Sequence, residues 1–270
     1  MKYFIESSWD GLAKAMSADL DLQMQKKAMI VTDNNVAPLF LNEVRKALCG
    51  VPWQISNHII PAGEGSKNFR ALTEVLQAMH EAGLDRGSVV FALGGGVVSD
   101  IAGFAASCYM RGINYINLPT TLLSQADSAI GGKTGIDFMG QKNLIGTFHA
   151  PHLVYTNIAA LNTLPQQDYI SGLAEVIKYG IIYDRGLLEF LYDNTQAVLE
   201  RDEATVLHIV RRSCAIKTEV VMQDEKDKGL RQILNFGHTV GHAVESLSEF
   251  TLPHGYCVAI GMAQELQYLV

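Results

Sequence analysis

The run S-V-V-F-A-L, Ser88–Leu93, is followed at once by Gly94-Gly95-Gly96 and then by a small-residue stretch, Asp100–Met110, that reads as a helix. A short apolar run without alternation suits a strand buried on both faces, and such strands belong to parallel sheets. The same alternation recurs on both sides. Ala28–Thr32 (A-M-I-V-T) reads as a strand, Val36–Leu48 as a helix stopped by Gly50, and Trp53–Ile60 as a second strand closed by Pro61-Ala62-Gly63. Lys67–His80 is predicted helical and ends at Gly83; Tyr115–Leu118 and Leu153–Asn157 are predicted strands. Strand–helix alternation implies an α/β domain with a parallel sheet. Pro119–Gly146, rich in Gly and Lys between Gly131 and Lys142, reads as one long loop.

From Gln166 onward the pattern becomes helical. The predicted helices are Asp168–Tyr183, Leu187–Asn194, Asp202–Gln223, Gly237–Ser246 and His254–Leu269. A boundary near Leu161–Pro165 therefore separates an α/β domain, residues 1–162, from an all-α domain, residues 163–270. The last helix meets no Gly, Asn or Pro before Val270, so the C-terminus reads as truncated and the helical domain as incomplete.

Composition narrows the function classes. A net charge of −7 over 270 residues argues against nucleic-acid binding, which needs a basic face. An anionic substrate must then be caught by a local group of Lys and Arg. The cysteines Cys49, Cys108, Cys214 and Cys257 are scattered without C-x-x-C, which fits reduced thiols in a cytoplasm. The first ten residues lack a signal-peptide core, and no apolar run approaches the roughly 18 residues of a membrane span.

Several groups can carry chemistry. Three glycines between a strand and a helix let a ligand approach the backbone, and the helix N-terminus offers free N–H groups to a phosphate; a tight turn needing small residues would look the same. The spacing is not G-x-G-x-x-G. Asp33 and Glu64, where loops leave strands, suit either ribose hydroxyls or helix caps. Polar residues and glycines crowd Pro119–Gly135, with Asp127 and Lys133 its reactive members. Glu175 and Lys178 are i and i+3 on an otherwise apolar helix face, as a surface ion pair or as a buried pair beside a metal. Three of the eight histidines, His238, His242 and His254, lie close together, and His238 and His242 are i and i+4 on one helix face. One carboxylate with two imidazoles would make a three-ligand zinc site with an open position. Lys217, Arg231, Arg111 and Lys142 stand beside Gly, Asn and His instead of in charged runs, which favours anion recognition.

Taken together, G-G-G-V-V-S-D-I-A-G-F-A-A, Y-M-R-G, P-T-T-L-L-S-Q-A-D-S-A-I-G-G-K-T-G, K-N-L-I-G-T-F, G-L-A-E-V-I-K-Y-G and L-N-F-G-H-T-V-G-H-A-V-E with P-H-G, in this order from roughly Ile30 to Met262, resemble the 3-dehydroquinate synthase family of sugar-phosphate cyclases. The resemblance implies an NAD-binding α/β domain followed by a helical metal domain, with the active site between them, in a homodimer. It implies metal ligands Glu175, His238 and His254, holding Zn2+ or Co2+, and moves His242 from the metal to substrate phosphate. Implied NAD contacts are Asp33, Asn35, Glu64, Lys67, Gly94, Gly95, Gly96, Asp100, Thr120, Thr121 and Lys142. Implied substrate contacts are Asp127, Lys133, Asn143, Lys178, Lys217, Arg231, Asn235 and His242, with Arg111 reaching phosphate across a dimer interface.

The implied reaction turns 3-deoxy-D-arabino-heptulosonate 7-phosphate into 3-dehydroquinate and phosphate, in the shikimate pathway of aromatic amino-acid biosynthesis. Transient oxidation of a carbinol makes the neighbouring C–H acidic enough for phosphate to leave, and the hydride is then returned. Two departures stand out: Ser99 where the family has Gly, and Tyr256-Cys257 where it has Glu-Ala. The family also continues past Val270, so exposed apolar surface on the last helix and weak turnover are expected. Three rivals remain at this point: another sugar-phosphate cyclase such as 2-deoxy-scyllo-inosose synthase, a metal-dependent glycerol or alcohol dehydrogenase, and an inactive truncated NAD-binding fragment.

Overall fold

The computed structural model describes residues 2–17, 20–224, 227, 229–248 and 251–267. The chain divides into two compact units, residues 1–120 with 128–158 and residues 121–127 with 159–270. The division thus falls after Ile158, a little before the expected boundary, and Thr121–Asp127 groups with the helical unit instead of the α/β unit.

In the first unit, strands β1 (Lys2–Glu6), β2 (Lys27–Asp33), β3 (Gln54–Ile60), β4 (Val89–Gly94), β5 (Asn114–Pro119) and β8 (Leu153–Asn157) form a parallel sheet in the order β1-β8-β5-β4-β2-β3. Every residue of β4 is buried, as its unbroken apolar run requires. Helices α3 (Phe69–Glu81) and α4 (Gly96–Cys108) cover the sheet through Leu72, Val75, Val98, Ile101, Ala102 and Ala105. Asn68 caps α3 by accepting from the Ala71 N–H at 3.0 Å. A short helix α1 (Leu12–Met16) follows β1.

Three local expectations change. The helix expected over Val36–Leu48 is a π-type turn, Ala37–Leu41, leading into α2 (Asn42–Ala47); Pro38 stands in the first turn, where its missing N–H costs no ladder bond. The helix expected from Asp100 already starts at Gly96. The long loop resolves into a helical turn, Ser124–Ser128, and an antiparallel hairpin, β6 (Lys133–Phe138) with β7 (Gln141–Phe148). Gly135 and Gly146 pair across that hairpin, and a Cβ on Gly146 would sit 2.0 Å from the Thr134 carbonyl oxygen. These glycines serve close strand contact, not loop freedom.

The second unit holds α5 (Gln166–Ile182), α6 (Arg185–Asp193), α7 (Thr195–Leu199), α8 (Glu203–Gln223), α9 (His238–Leu247) and α10 (His254–Gln267). The end of the predicted last helix, residues 268–269, lies outside the described residues. Asp202 caps α8 through the Thr205 N–H at 2.9 Å. Helix α5 packs against α6, α8 and α10, and α10 lies along α9. Glycine sets the closeness of these contacts. A Cβ on Gly261 would lie 1.9 Å from the Gly237 carbonyl oxygen, and one on Gly255 would lie 1.8 Å from that of Ser171. Among the described residues no helix is long and apolar enough to cross a membrane.

Candidate active site

In the first unit the strand order reverses between the adjacent strands β2 and β4, since β2 leads outward to β3 and β4 leads the other way to β5. Such a switch point leaves a crevice at the carboxyl ends of the strands, where open α/β sheets bind ligands. Asp33 ends β2 there, and Gly94-Gly95-Gly96 run from β4 into α4, with Gly95 at the cap position. The Thr120 N–H donates to the Gly94 carbonyl at 3.0 Å, while its buried hydroxyl has no hydrogen bond. Asp33 works as a turn cap: its Oδ1 accepts from the Asn35 and Val36 N–H groups, both at 2.9 Å. Ser99, the first departure, fits the α4 turn by donating to the Gly96 carbonyl at 3.0 Å.

Beside the crevice-lining glycines, one ammonium gathers four partners. Lys67, 4% exposed, lies 2.9 Å from Asp100, 3.6 Å from Glu64 and 3.9 Å from Asp137, and donates to Asn143 Oδ1. Lys142 adds a second cation 3.3 Å from Glu64. Burial among these acids pushes the Asp100 carboxyl up to about 6, against the pull of Lys67. Asn143 adopts φ +54°, held by its N–H donating to Asp137 Oδ1 at 2.8 Å. Lys133 is exposed on β6, and Arg111 is exposed in a bend where Met110, Arg111 and Gly112 all take positive φ.

In the second unit α5, α9 and α10 converge on Glu175, which is 1% exposed. Its Oε2 is ion-paired with the buried Lys178 ammonium, and its Oε1 accepts no hydrogen bond. His238 Nε2 and His254 Nε2 each stand 3.5 Å from Glu175 Oε1, and one ligand atom from each of the three residues falls within 4.8 Å of the others. Tetrahedral zinc with bonds of about 2.0–2.1 Å separates its ligand atoms by about 3.4 Å, so a divalent ion fits this trio. His238 Nδ1 lies 3.1 Å from the Phe236 carbonyl oxygen, an acceptor only; Nδ1 therefore carries the proton and Nε2 keeps its lone pair. Burial lowers the pKa of that ring, which keeps it neutral and able to ligate.

The His254 ring behaves differently. Burial opposes its protonation, but the Glu175 and Glu245 carboxylates outweigh burial and push it up to about 9. Burial likewise opposes ionisation of Glu175, and the adjacent Lys178 ammonium more than offsets it, holding this carboxyl below its usual range. His242 is exposed, with its ring centroid 5.4 Å from that of His238 and 6.1 Å from that of His254. Tyr256, the second departure, is 37% exposed, while Cys257 is buried where α10 meets Gly241 of α9.

A second polar knot adjoins Lys178. Lys217 Nζ lies 2.8 Å from Asp127 Oδ1 and donates to the Asp127 carbonyl at 2.9 Å; the Tyr179 hydroxyl donates to the same Asp127 carboxylate. Burial opposes ionisation of Asp127, but Lys217, Lys178 and Tyr179 hold its carboxyl well below the usual range. Burial lowers the Lys217 pKa. Segment Thr121–Asp127 is seated by Gly172, whose Cβ would come within 2.7 Å of the Leu123 N–H nitrogen, and by Cys214 Sγ at 3.2 Å from the Gln125 carbonyl. Thr121 itself accepts from the Ser124 N–H at 3.1 Å. Arg231 is 2% exposed; Asn235 is exposed and lines a cleft with Asp227, Gln232 and Glu265.

Three residues of these clusters were not singled out from sequence: Asp137, Tyr179 and Glu245. Two had a signal. Tyr179 closes the quoted E-V-I-K-Y-G motif, and Glu245 stands three residues after His242 and seven after His238, on the same helix face.

Comparison with known proteins places this arrangement. Sequence profiles described as 3-dehydroquinate synthase N-terminal and 3-dehydroquinate synthase C-terminal match residues 57–171 and 172–270. A 3-dehydroquinate synthase of Acetivibrio thermocellus is 44% identical over 259 residues, covering 96% of this chain and 71% of that protein. Among solved structures, 2-epi-5-epi-valiolone synthase from Streptomyces hygroscopicus, with NAD+ and Zn2+ bound, superposes with a TM-score of 0.86 at 30% identity, over 97% of this chain and 72% of that one. A 2-deoxy-scyllo-inosose synthase complexed with carbaglucose-6-phosphate, NAD+ and Co2+ gives a TM-score of 0.88 at 23% identity, over 96% and 70%, and so shares the fold.

Proposed function

This chain belongs to the 3-dehydroquinate synthase family, and on that premise we propose that it converts 3-deoxy-D-arabino-heptulosonate 7-phosphate to 3-dehydroquinate and inorganic phosphate. The observation that carries the reading is Glu175: a fully buried carboxylate whose Oε2 is ion-paired with Lys178 and whose Oε1 faces two imidazole Nε2 atoms at 3.5 Å. When bound, a zinc or cobalt ion on Glu175, His238 and His254 supplies Lewis acidity toward a hydroxyl and its neighbouring carbonyl, and NAD in the first unit supplies a reversible hydride acceptor.

The chain's own groups do the rest. The glycine turn and the N-terminus of α4 offer free N–H groups and a positive dipole end to a pyrophosphate. Lys67, Glu64, Asp100 and Lys142 form the polar wall around that cofactor, with Asp33 and Asn35 at the neighbouring strand end. Lys178, Lys217 and Arg231 are buried cations in a chain of net charge −7, and they answer the two anionic groups of the substrate. His242 and Asn235 are exposed polar groups for the phosphate side. Asp127, held ionised, opposes the burial that lowers the Lys217 pKa. The reading includes a homodimer, in which Arg111 serves a partner's phosphate.

The test is phosphate release from the heptulosonate phosphate by the purified chain, with NAD and divalent metal each omitted in turn. Release that needs both is expected, with no accumulation of NADH. Oxidation of glycerol or simple alcohols with net NADH formation overturns the proposal in favour of a dehydrogenase. Light scattering that gives a monomer removes the role of Arg111.

A further inference from the structure

The three metal-facing residues are not the whole of the cluster. Glu245 of α9 is 2% exposed, and its Oε2 lies 3.7 Å from Nδ1 of His254. The two nitrogens of that ring are therefore addressed by two different buried carboxylates: Nε2 by Glu175 at 3.5 Å and Nδ1 by Glu245. His242, Glu245 and His254 also place ligand atoms within 4.8 Å of one another, so Glu245 has two roles open to it by distance alone, ligand or support.

Geometry separates the two. His238 already shows how this site prepares an imidazole, with Nδ1 tied to a backbone carbonyl and Nε2 turned to Glu175. His254 sits on a different helix and has Glu245 where His238 has that carbonyl. A carboxylate behind Nδ1 fixes the ring's tautomer and orientation and makes Nε2 a stronger donor, as metal-bound histidines generally require. His242, the third member of the alternative trio, is exposed, whereas Glu175 is buried with its Oε1 turned to both His238 and His254 and accepting no hydrogen bond.

We infer that Glu245 is a positioning residue for the metal centre, holding His254 by Nδ1 so that Nε2 faces the ion, and is not itself a ligand. This rests on the reading that Glu175, His238 and His254 hold the metal.

The test is zinc affinity of the full chain by competition with a chromophoric chelator, together with the visible spectrum of the cobalt-loaded protein. The variants are Glu245→Gln, Glu245→Ala and Glu175→Ala. Wild type is expected to take one ion per chain. Glu245→Ala is expected to bind zinc about 10–100-fold more weakly, still at one ion per chain, with a changed cobalt spectrum. Glu245→Gln keeps the shape and an acceptor oxygen, and is expected to fall between the two; it answers the question if the alanine variant fails to fold. Zinc affinities of both Glu245 variants within twofold of wild type, while Glu175→Ala loses the ion, overturn this inference and leave the metal reading standing. Two ions per wild-type chain with one lost in Glu245→Gln overturn it as well, by making Glu245 a ligand. A wild type that takes no zinc, or a Glu175→Ala variant that keeps it, overturns the metal reading and this inference with it.

Discussion

Replacing Gly255 by alanine tests how the helical unit assembles its histidines. The added Cβ would lie 1.8 Å from the Ser171 carbonyl oxygen, and ordinary contact begins near 3.4 Å, so α10 must retreat from α5 by about 1.6 Å. The obstacle is backbone inside a helix and cannot swing aside. The retreat also breaks the hydrogen bond from the Gly255 N–H to Ser171 Oγ, now 3.0 Å long. Overpacking costs about 1–3 kcal/mol and the lost bond about 0.5–1.5. Alanine returns up to about 1 kcal/mol of helix propensity, which leaves the clash dominant. A net loss of about 1–3 kcal/mol lowers Tm by roughly 2–12 °C for a chain of this size. The chemical effect is larger, because His254 is next in sequence and metal sites tolerate distance errors of only about 0.2 Å. Zinc affinity is expected to fall at least about 100-fold. The assays are thermal melts of the metal-free chain and chelator competition. Gly50→Ala serves as control, since nothing lies within 4 Å of the added atom. A Gly255→Ala protein that melts within 1 °C of wild type and binds zinc within threefold would refute the reasoning.

Two further substitutions probe the charged knots. Lys217→Met strips Asp127 of its nearest cation and is expected to cost about 3–5 kcal/mol in urea unfolding at pH 7, a loss that Asp127→Asn in the same chain should largely relieve; a cost below 1 kcal/mol would remove the buried-pair account. Because the Asp127 carboxyl is depressed in the folded state, its contribution is present above the ordinary value of 3.8 and fades as pH falls below it, so wild type and Lys217→Met should converge in acid. Lys67→Met leaves Glu64, Asp100 and Asp137 facing one another and is expected to cost about 2–3 kcal/mol, less than a fully buried pair because these acids keep some solvent, and to weaken NAD binding by calorimetry. Asp100 already titrates near 6, above its ordinary 3.8, so its folded-state advantage exists below 3.8 and is lost as pH rises through 6. The Lys67→Met deficit should therefore be larger at pH 8 than at pH 5, and an equal deficit at both would count against it.

The strands of the sheet centre were readable because burial on both faces writes an unbroken apolar run, as in Val89–Gly94. Strand β1 was missed: only Ile5 of its K-Y-F-I-E is buried, so it carries little apolar signal and exists through pairing with β8. The hairpin was missed because Gly135 and Gly146 look like loop residues, whereas their value lies in meeting each other across strands, a long-range fact. In the site, histidine spacing pointed to a metal, yet spacing alone favoured His238 with His242. What brings His254 to Glu175 is the close seat of Gly255 on Ser171, which no local pattern announces. Asp33 shows the opposite limit: a residue suited to ribose or to a cap spends its Oδ1 on two backbone N–H groups.

The heptapeptide Thr121–Asp127 folds with residues that come after position 158, although its flanks on both sides belong to the other unit. A fragment begun at Ala159 would keep helices α5 to α10 and still lose the carboxylate that Lys217 grips and the turn that rests on Gly172. The helical half is thus not a cassette that one cut can release. A chimera joining two relatives by a single splice near Ala159 would marry one parent's strap to the other parent's socket, and Asp127, Cys214 and Lys217 would have to travel as a set.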